Sequence, residues 1–219
     1  MTNKRILDYT ANKSELRKAS ASVLDFDASL EELIDDMIDT LEVQGGIGLA
    51  APQIGVKKCV IVIKTSVIGL ANPDPDSWKK SSDYWVLVNP VHTSVGLDFK
   101  RIRESCLSIP GTYGTVVRSA ECVVSYLRPD KSEVSTQVTW PLAHVVQHEC
   151  DHLNGVLYLD RVSRLEKNII LRRLAKSNRM KSMIETAKAR QEVLDLQGFQ
   201  GLRRRRQKKN TKKRQKRKR

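Results

Sequence analysis

The sequence predicts an α+β fold with a basic extension at its C-terminal end. Three observations carry this. A helical face over residues 29–43 is followed by β-rich segments with no helix between them. A second helical pattern begins after Pro141. The charge is concentrated at one end: residues 203–219 hold thirteen of the 39 Lys and Arg residues, leaving 26 basic against 25 acidic residues elsewhere. The regular strand–helix alternation of a doubly wound fold is missing. A hydrophobic content of 40% suffices for one sizeable core and argues against a wholly disordered chain. No apolar run approaches the roughly 18–20 residues of a membrane span.

Each element has a local cause. In SLEELIDDMIDTLEV (29–43), Leu30, Leu33, Ile34, Met37, Ile38 and Leu41 recur at helical spacing. Ser29 with Glu32 reads as a capping box, and Gly45-Gly46 as the stop. CVIVIK (59–64), YWVLVNP (84–90), TVVRSAECVVSYL (115–127) and VSTQVTW (134–140) are β-branched and aromatic runs, hence strands. Asn72-Pro73-Asp74-Pro75-Asp76 predicts an exposed loop, and Arg128-Pro129-Asp130-Lys131 a hairpin turn. Leu142, Val145, Val146 and Leu153 share one side of a helix that Asn154-Gly155 ends. Ser163 with Glu166 starts a further helix with a patchy apolar stripe, running to about 197, where Gly198 and Gly201 close it.

The sharpest chemical signal is His148-Glu149-Cys150-Asp151-His152, an HExxH on the helix after Pro141. Histidines four apart share a helical face and can reach one metal, with the glutamate placed to take a proton from water. Asp151 points roughly 100° away from His152 and is a poor third ligand. Cys106, in a strand-like segment, is the better one, although a lone cysteine is more often a small buried hydrophobe. Cys59, Cys122 and Cys150 fit that ordinary role. No CxxC pair is present, and MTNKRILDYT has no apolar core like that of a signal peptide, so free thiols in the cytoplasm are expected. The loop GIGLAAPQIG (46–55) is neither a dinucleotide fingerprint nor a P-loop. It is equally a tight turn or a close backbone approach to a ligand, with Gln53 as its polar donor.

Taken together and in order, GIGLAAPQ, ESCLSIP and QHECDHLNG resemble the three motifs of the peptide deformylases, over about residues 1–165. The resemblance implies antiparallel β-sheets packed around a central HExxH-bearing helix, with a long C-terminal helix and a disordered basic tail. Together with the helical pattern and the basic run beyond it, the resemblance divides the chain into a catalytic domain (1–164), a helical extension (165–201) and the tail (202–219). It makes Cys106 the third metal ligand beside His148 and His152. The ion it implies is ferrous iron, while ligand softness alone suggests zinc. A metal-bound water, deprotonated by Glu149, would attack the formyl group of an N-formylmethionyl nascent peptide. Gln53 and the backbone N–H of Leu107 would meet the charge on the formyl oxygen. Ile47, Gly48, Ile102, Glu104 and Val145 are implied in the methionine pocket, with Glu104 paired to Arg118.

The one departure is Ser105 where the family motif usually has glycine. The tail has no aromatic residue and no groove-reading motif, so it is a solvated tail or a sequence-blind phosphate binder, not a reader of DNA sequence. The resemblance favours ribosomal RNA as its partner and no membrane. Two further readings stand beside deformylation: another HExxH hydrolase such as a zinc peptidase, or an inactive ribosome-binding relative.

Overall fold

The computed structural model describes residues 3–188 and 190. The chain forms two compact units, residues 1–174 and 175–219. In the first, the order is α1 (Tyr9–Leu16), α2 (Ala28–Gln44), β1 (Gly48–Ala50), β2 (Val60–Lys64), β3 (Tyr84–Cys106), β4 (Ile109–Leu127), β5 (Glu133–Thr139) and α3 (Leu142–Leu153), with helical residues 164–174 after it. The five strands form one antiparallel sheet in the order β1-β2-β3-β4-β5. The expected plural sheets are thus a single hydrogen-bonded one.

The sheet is covered on both faces, which explains the unbroken apolar run of β2. Val60 and Val62 face Leu30, Leu33, Ile34, Met37 and Leu41 of α2. Ile61 and Ile63 face the opposite cluster, with Trp85, Leu87, Val124 and, from α3, Leu142, Val146, Cys150 and Leu153. Successive strand residues point to opposite faces, so a strand buried on both has no polar alternation. A third cluster joins Tyr9 and Leu16 of α1 to Cys106, Ile109, Val116, Tyr158, Ile170 and Leu174.

Several local expectations are corrected. The cap of α2 is Asp27, whose carboxylate accepts from the Ser29 and Leu30 amides, and not Ser29. Asp74, expected in an exposed loop, is buried and accepts from Tyr126 Oη (2.6 Å) and from the Arg128 guanidinium. Ser163 Oγ accepts from the Glu166 amide, but the Glu166 side chain turns to the Thr115 amide instead of closing the box. Cys59 is only half-buried. Gly45 ends α2 in the left-handed region and Gly155 follows α3 at φ 68°.

Residues 175–188 of the second unit are helical, and Met180, Met183 and Ile184 are exposed. The helix end expected near 197 and the tail 202–219 lie outside the described residues. Among the described residues, no helix is long and apolar enough to cross a membrane.

Candidate active site

Three elements converge on one cavity of about 550 Å³. The first is α3, on which His148 and His152 sit one turn apart with ring centroids 5.0 Å from each other. Gln147 clamps this helix to β4 by donating to Ser119 O (2.9 Å) and accepting from its amide (3.3 Å). The second is the end of β3. Cys106 pairs with Ile109 across the two-residue turn Leu107-Ser108, which places its thiol beside His152 Nε2 at 3.2 Å. The third is the Gly46–Gln53 loop, strapped by the Leu7 amide donating to Gln53 O (2.8 Å).

The donor atoms of Cys106, His148 and His152 lie within 4.8 Å of one another, and all three residues are buried. One thiol and two imidazoles in such proximity fit a divalent ion with an open position. Beside them Glu149 is buried and its Oε2 has no hydrogen-bond partner. A buried polar oxygen left unpaired is costly, so it too fits a site completed by a bound group.

Two carboxylates flank His148, and their surroundings set them apart. Glu104 accepts from Arg118 Nε (2.7 Å) and Nη2 (2.9 Å), while its Oε2 lies 2.8 Å from His148 Nδ1. Burial works against its ionisation, but the bonds from Arg118 and His148 outweigh burial and hold the carboxyl at about 2. Glu149 has no such cation bonded to it, and burial pushes it up to about 7. Burial also opposes charge on both imidazoles. At His148 the contacts with Cys106 and Glu104 prevail and raise the ring well above its ordinary range; at His152 burial and the charge of His148 push it well below.

Gln53 is buried, and its Oε1 accepts from the Ala50 amide (2.8 Å). That bond turns its amide nitrogen toward Cys106 Sγ (3.5 Å) and Ser108 Oγ (3.4 Å). The backbone of the glycine loop comes close to a side chain of α3: a Cβ at Gly48 would meet Glu149 Oε1 at 2.5 Å. Asp151 faces away from the ligand set, as its helical position implied, and accepts from Arg118 (2.6 Å) and from Arg161.

Of the residues singled out in the sequence, Ile47, Gly48, Gln53, Glu104, Cys106, Leu107, Val145, His148 and Glu149 line the cavity. His152 joins them through the ligand cluster. Ile102 is buried in β3 and is not in the cavity wall. Arg103, Ser105 and His144 line the wall and were not singled out for it. The alternation of β3 puts the first two on the face opposite Glu104 and Cys106 and so could not have found them; the four-residue spacing before His148 could have found the third. Ser105 lies in β3 at the register shift between Glu104 and Cys106, without a left-handed backbone: among the described non-glycine residues only Asn89 and Lys131 have positive φ. The position therefore does not require glycine geometry.

An α+β frame with a thiol and two imidazoles meeting beside a buried glutamate defines a hydrolase-type centre of the HExxH class. The sequence model of the Polypeptide deformylase family matches residues 4–168. The peptide deformylase of Agrobacterium fabrum is 36% identical over 166 residues, spanning 76% of this chain and 92% of that protein. That of Chromohalobacter salexigens is 35% identical, spanning 82% and 97%. The crystal structure of a peptide deformylase from Legionella pneumophila superposes with a TM-score of 0.70 at 37% identity, covering 83% of this chain and 98% of that one. The Synechococcus elongatus enzyme, solved with actinonin, gives 0.67 at 35% identity, covering 80% and 87%. The chain belongs to the peptide deformylase family, enzymes that remove N-terminal formyl groups.

Proposed function

We propose that this chain deformylates the N-terminal formylmethionine of nascent polypeptides with one divalent ion held by Cys106, His148 and His152. The observation that carries this reading is the meeting of those three donors beside an unpartnered, buried Glu149. When bound, such an ion supplies Lewis-acid activation of water and of the formyl carbonyl. Ferrous iron is the ion we favour from the family; zinc is the alternative that the donor softness supports.

The chain's own residues do the rest. Glu149 takes the proton released by the attacking water and passes it to the leaving amine, giving formate and a free methionine terminus. Gln53 points its amide N–H₂ into the site because Ala50 occupies its oxygen. With the backbone N–H of Leu107, it donates to the formyl oxygen as charge grows there, each donor being worth roughly 3 kcal/mol. Glu104 is a positioning residue: held by Arg118, it fixes the ring of His148 through Nδ1. Ile47, Gly48 and Val145 flank the methionine side chain, and Ile102 supports that pocket from within β3.

Residues 1–164 make up the catalytic domain in this reading, with 165–201 an extension and 202–219 a tail that binds ribosomal RNA. Work on nascent chains places the protein in the cytoplasm. Formate release from formyl-Met-Ala-Ser by protein loaded anaerobically with iron, cobalt or nickel tests the activity. No turnover with any of them overturns it. Removal of residues 203–219 is expected to weaken co-sedimentation with ribosomes most at low salt.

A further inference from the structure

We propose that Arg103, stacked on Tyr113 at the edge of the active-site cavity, selects formylated peptides that carry an acidic side chain shortly after the formylmethionine. The proposal deepens the deformylase reading and relies on it only for where the formyl group lies.

The geometry begins with the strand. Over residues 101–106, β3 alternates strictly between exposed and buried, so Arg103 and Ser105 face outward while Ile102, Glu104 and Cys106 face inward. Arg103 pairs with Thr115 of β4, which puts Tyr113 at the diagonal position on the same face. The guanidinium lies 3.8 Å over the Tyr113 ring, and Arg103 also lines the cavity. No carboxylate among the described residues forms an ion pair with it. The two carboxylates of the cavity wall are buried, and Glu104 is already bonded to Arg118.

The result is an exposed cation, held by an aromatic platform and without a counterion among the described residues. A guanidinium whose rotamers are restricted in this way gives up less freedom on binding a carboxylate. It stands three positions before Cys106 on the strand, or ~10 Å at ~3.3 Å per residue. An extended peptide with its formyl group at Cys106 reaches that level at about its third residue. Formylation removes the terminal ammonium, so the charge that Arg103 meets comes from the peptide's side chains.

The test compares kcat/KM for formyl-Met-Ala-Asp-amide, formyl-Met-Ala-Ser-amide and formyl-Met-Ala-Lys-amide at low salt. Binding of the matching unformylated peptides is measured alongside. We expect the aspartyl peptide to exceed the lysyl one by about 5-fold, mostly through KM, with the gap narrowing in high salt. R103E is expected to reverse the order, R103K to keep part of it, and Y113L to shrink it. Equal values for the two peptides in the unmodified protein overturn the proposal, as does an unchanged order in R103E. A preference seen only with a free α-carboxylate in place of the amide also overturns it, because a nascent chain offers no such group. If turnover is absent but binding keeps the order, the deformylase reading falls and this one stands. Equal binding as well removes both.

Discussion

The two sides of His148 bury one glutamate each, and they have opposite electrostatics. Toward β4, Glu104, Arg118, Asp151 and Arg161 form a closed set in which each carboxylate meets a guanidinium. Toward the cavity, Glu149 fills the space that a Cβ at Gly48 would need and keeps one oxygen unpaired. Burial is similar on the two sides; the placement of the cation is what differs. The paired side makes scaffold out of its carboxylate, and the unpaired side leaves a carboxylate free to exchange a proton.

Breaking the paired side has the largest expected effect. Arg118→Met removes the cation that neutralises Glu104 and shares Asp151, leaving a buried charge unpaired. We expect a loss of about 3–5 kcal/mol, read from denaturant midpoints. On the unpaired side Glu149→Gln keeps the shape and removes the base. Formate release is expected to fall by about 100-fold or more, while the denaturant midpoint holds or rises because no charge remains to be buried.

A third carboxylate sharpens the contrast, since it repeats the paired arrangement far from the chemistry. Burial opposes ionisation of Asp74, but Arg128 and Tyr126 outweigh burial and lower its pKa. Asp74→Asn is expected to cost about 1.5–3 kcal/mol at neutral pH. A folded-state pKa below the unfolded value gives stability that is complete above about pH 4 and lost as pH falls through the folded value. The difference between wild type and Asp74→Asn should therefore shrink on acidification below about pH 4, as equilibrium unfolding at stepped pH would show. A constant difference would place the effect in packing and not in charge. The smallest effect is expected at Ser105. Its backbone is extended, so Ser105→Gly should lower stability by only about 0.5–1 kcal/mol and leave formate release close to wild type.

Much of this was legible in the sequence where the signal is local. The face of α2, the strand character of β2, and the reach of His148 and His152 to one side of a helix follow from helical spacing and from a β-branched run. Other features were not legible because their causes are distant. Nothing within α1 marks it as a helix; the buried Tyr9 and Leu16 are fixed by contact with β4 and with residues beyond α3. Asp74 looks like a loop residue until Arg128, 54 positions away, arrives beside it. Ile102 enters the pocket only by resemblance, and its position in β3 buries it outside the cavity wall.

The sequence by itself determined the HExxH helix, the strand-rich middle and the separation of charge, because spacing along one element fixes which side chains share a face. It offered Cys106 as a candidate ligand and favoured it over an ordinary buried cysteine only through a resemblance, since a single cysteine carries no period. Tertiary structure alone decided that the Cys106 thiol meets His152, that Gly48 must lack a Cβ, and that one glutamate is paired while the other is left open. Those outcomes depend on which side chains a folded sheet and helix bring within a few ångströms, and burial turns that proximity into a difference of proton affinity.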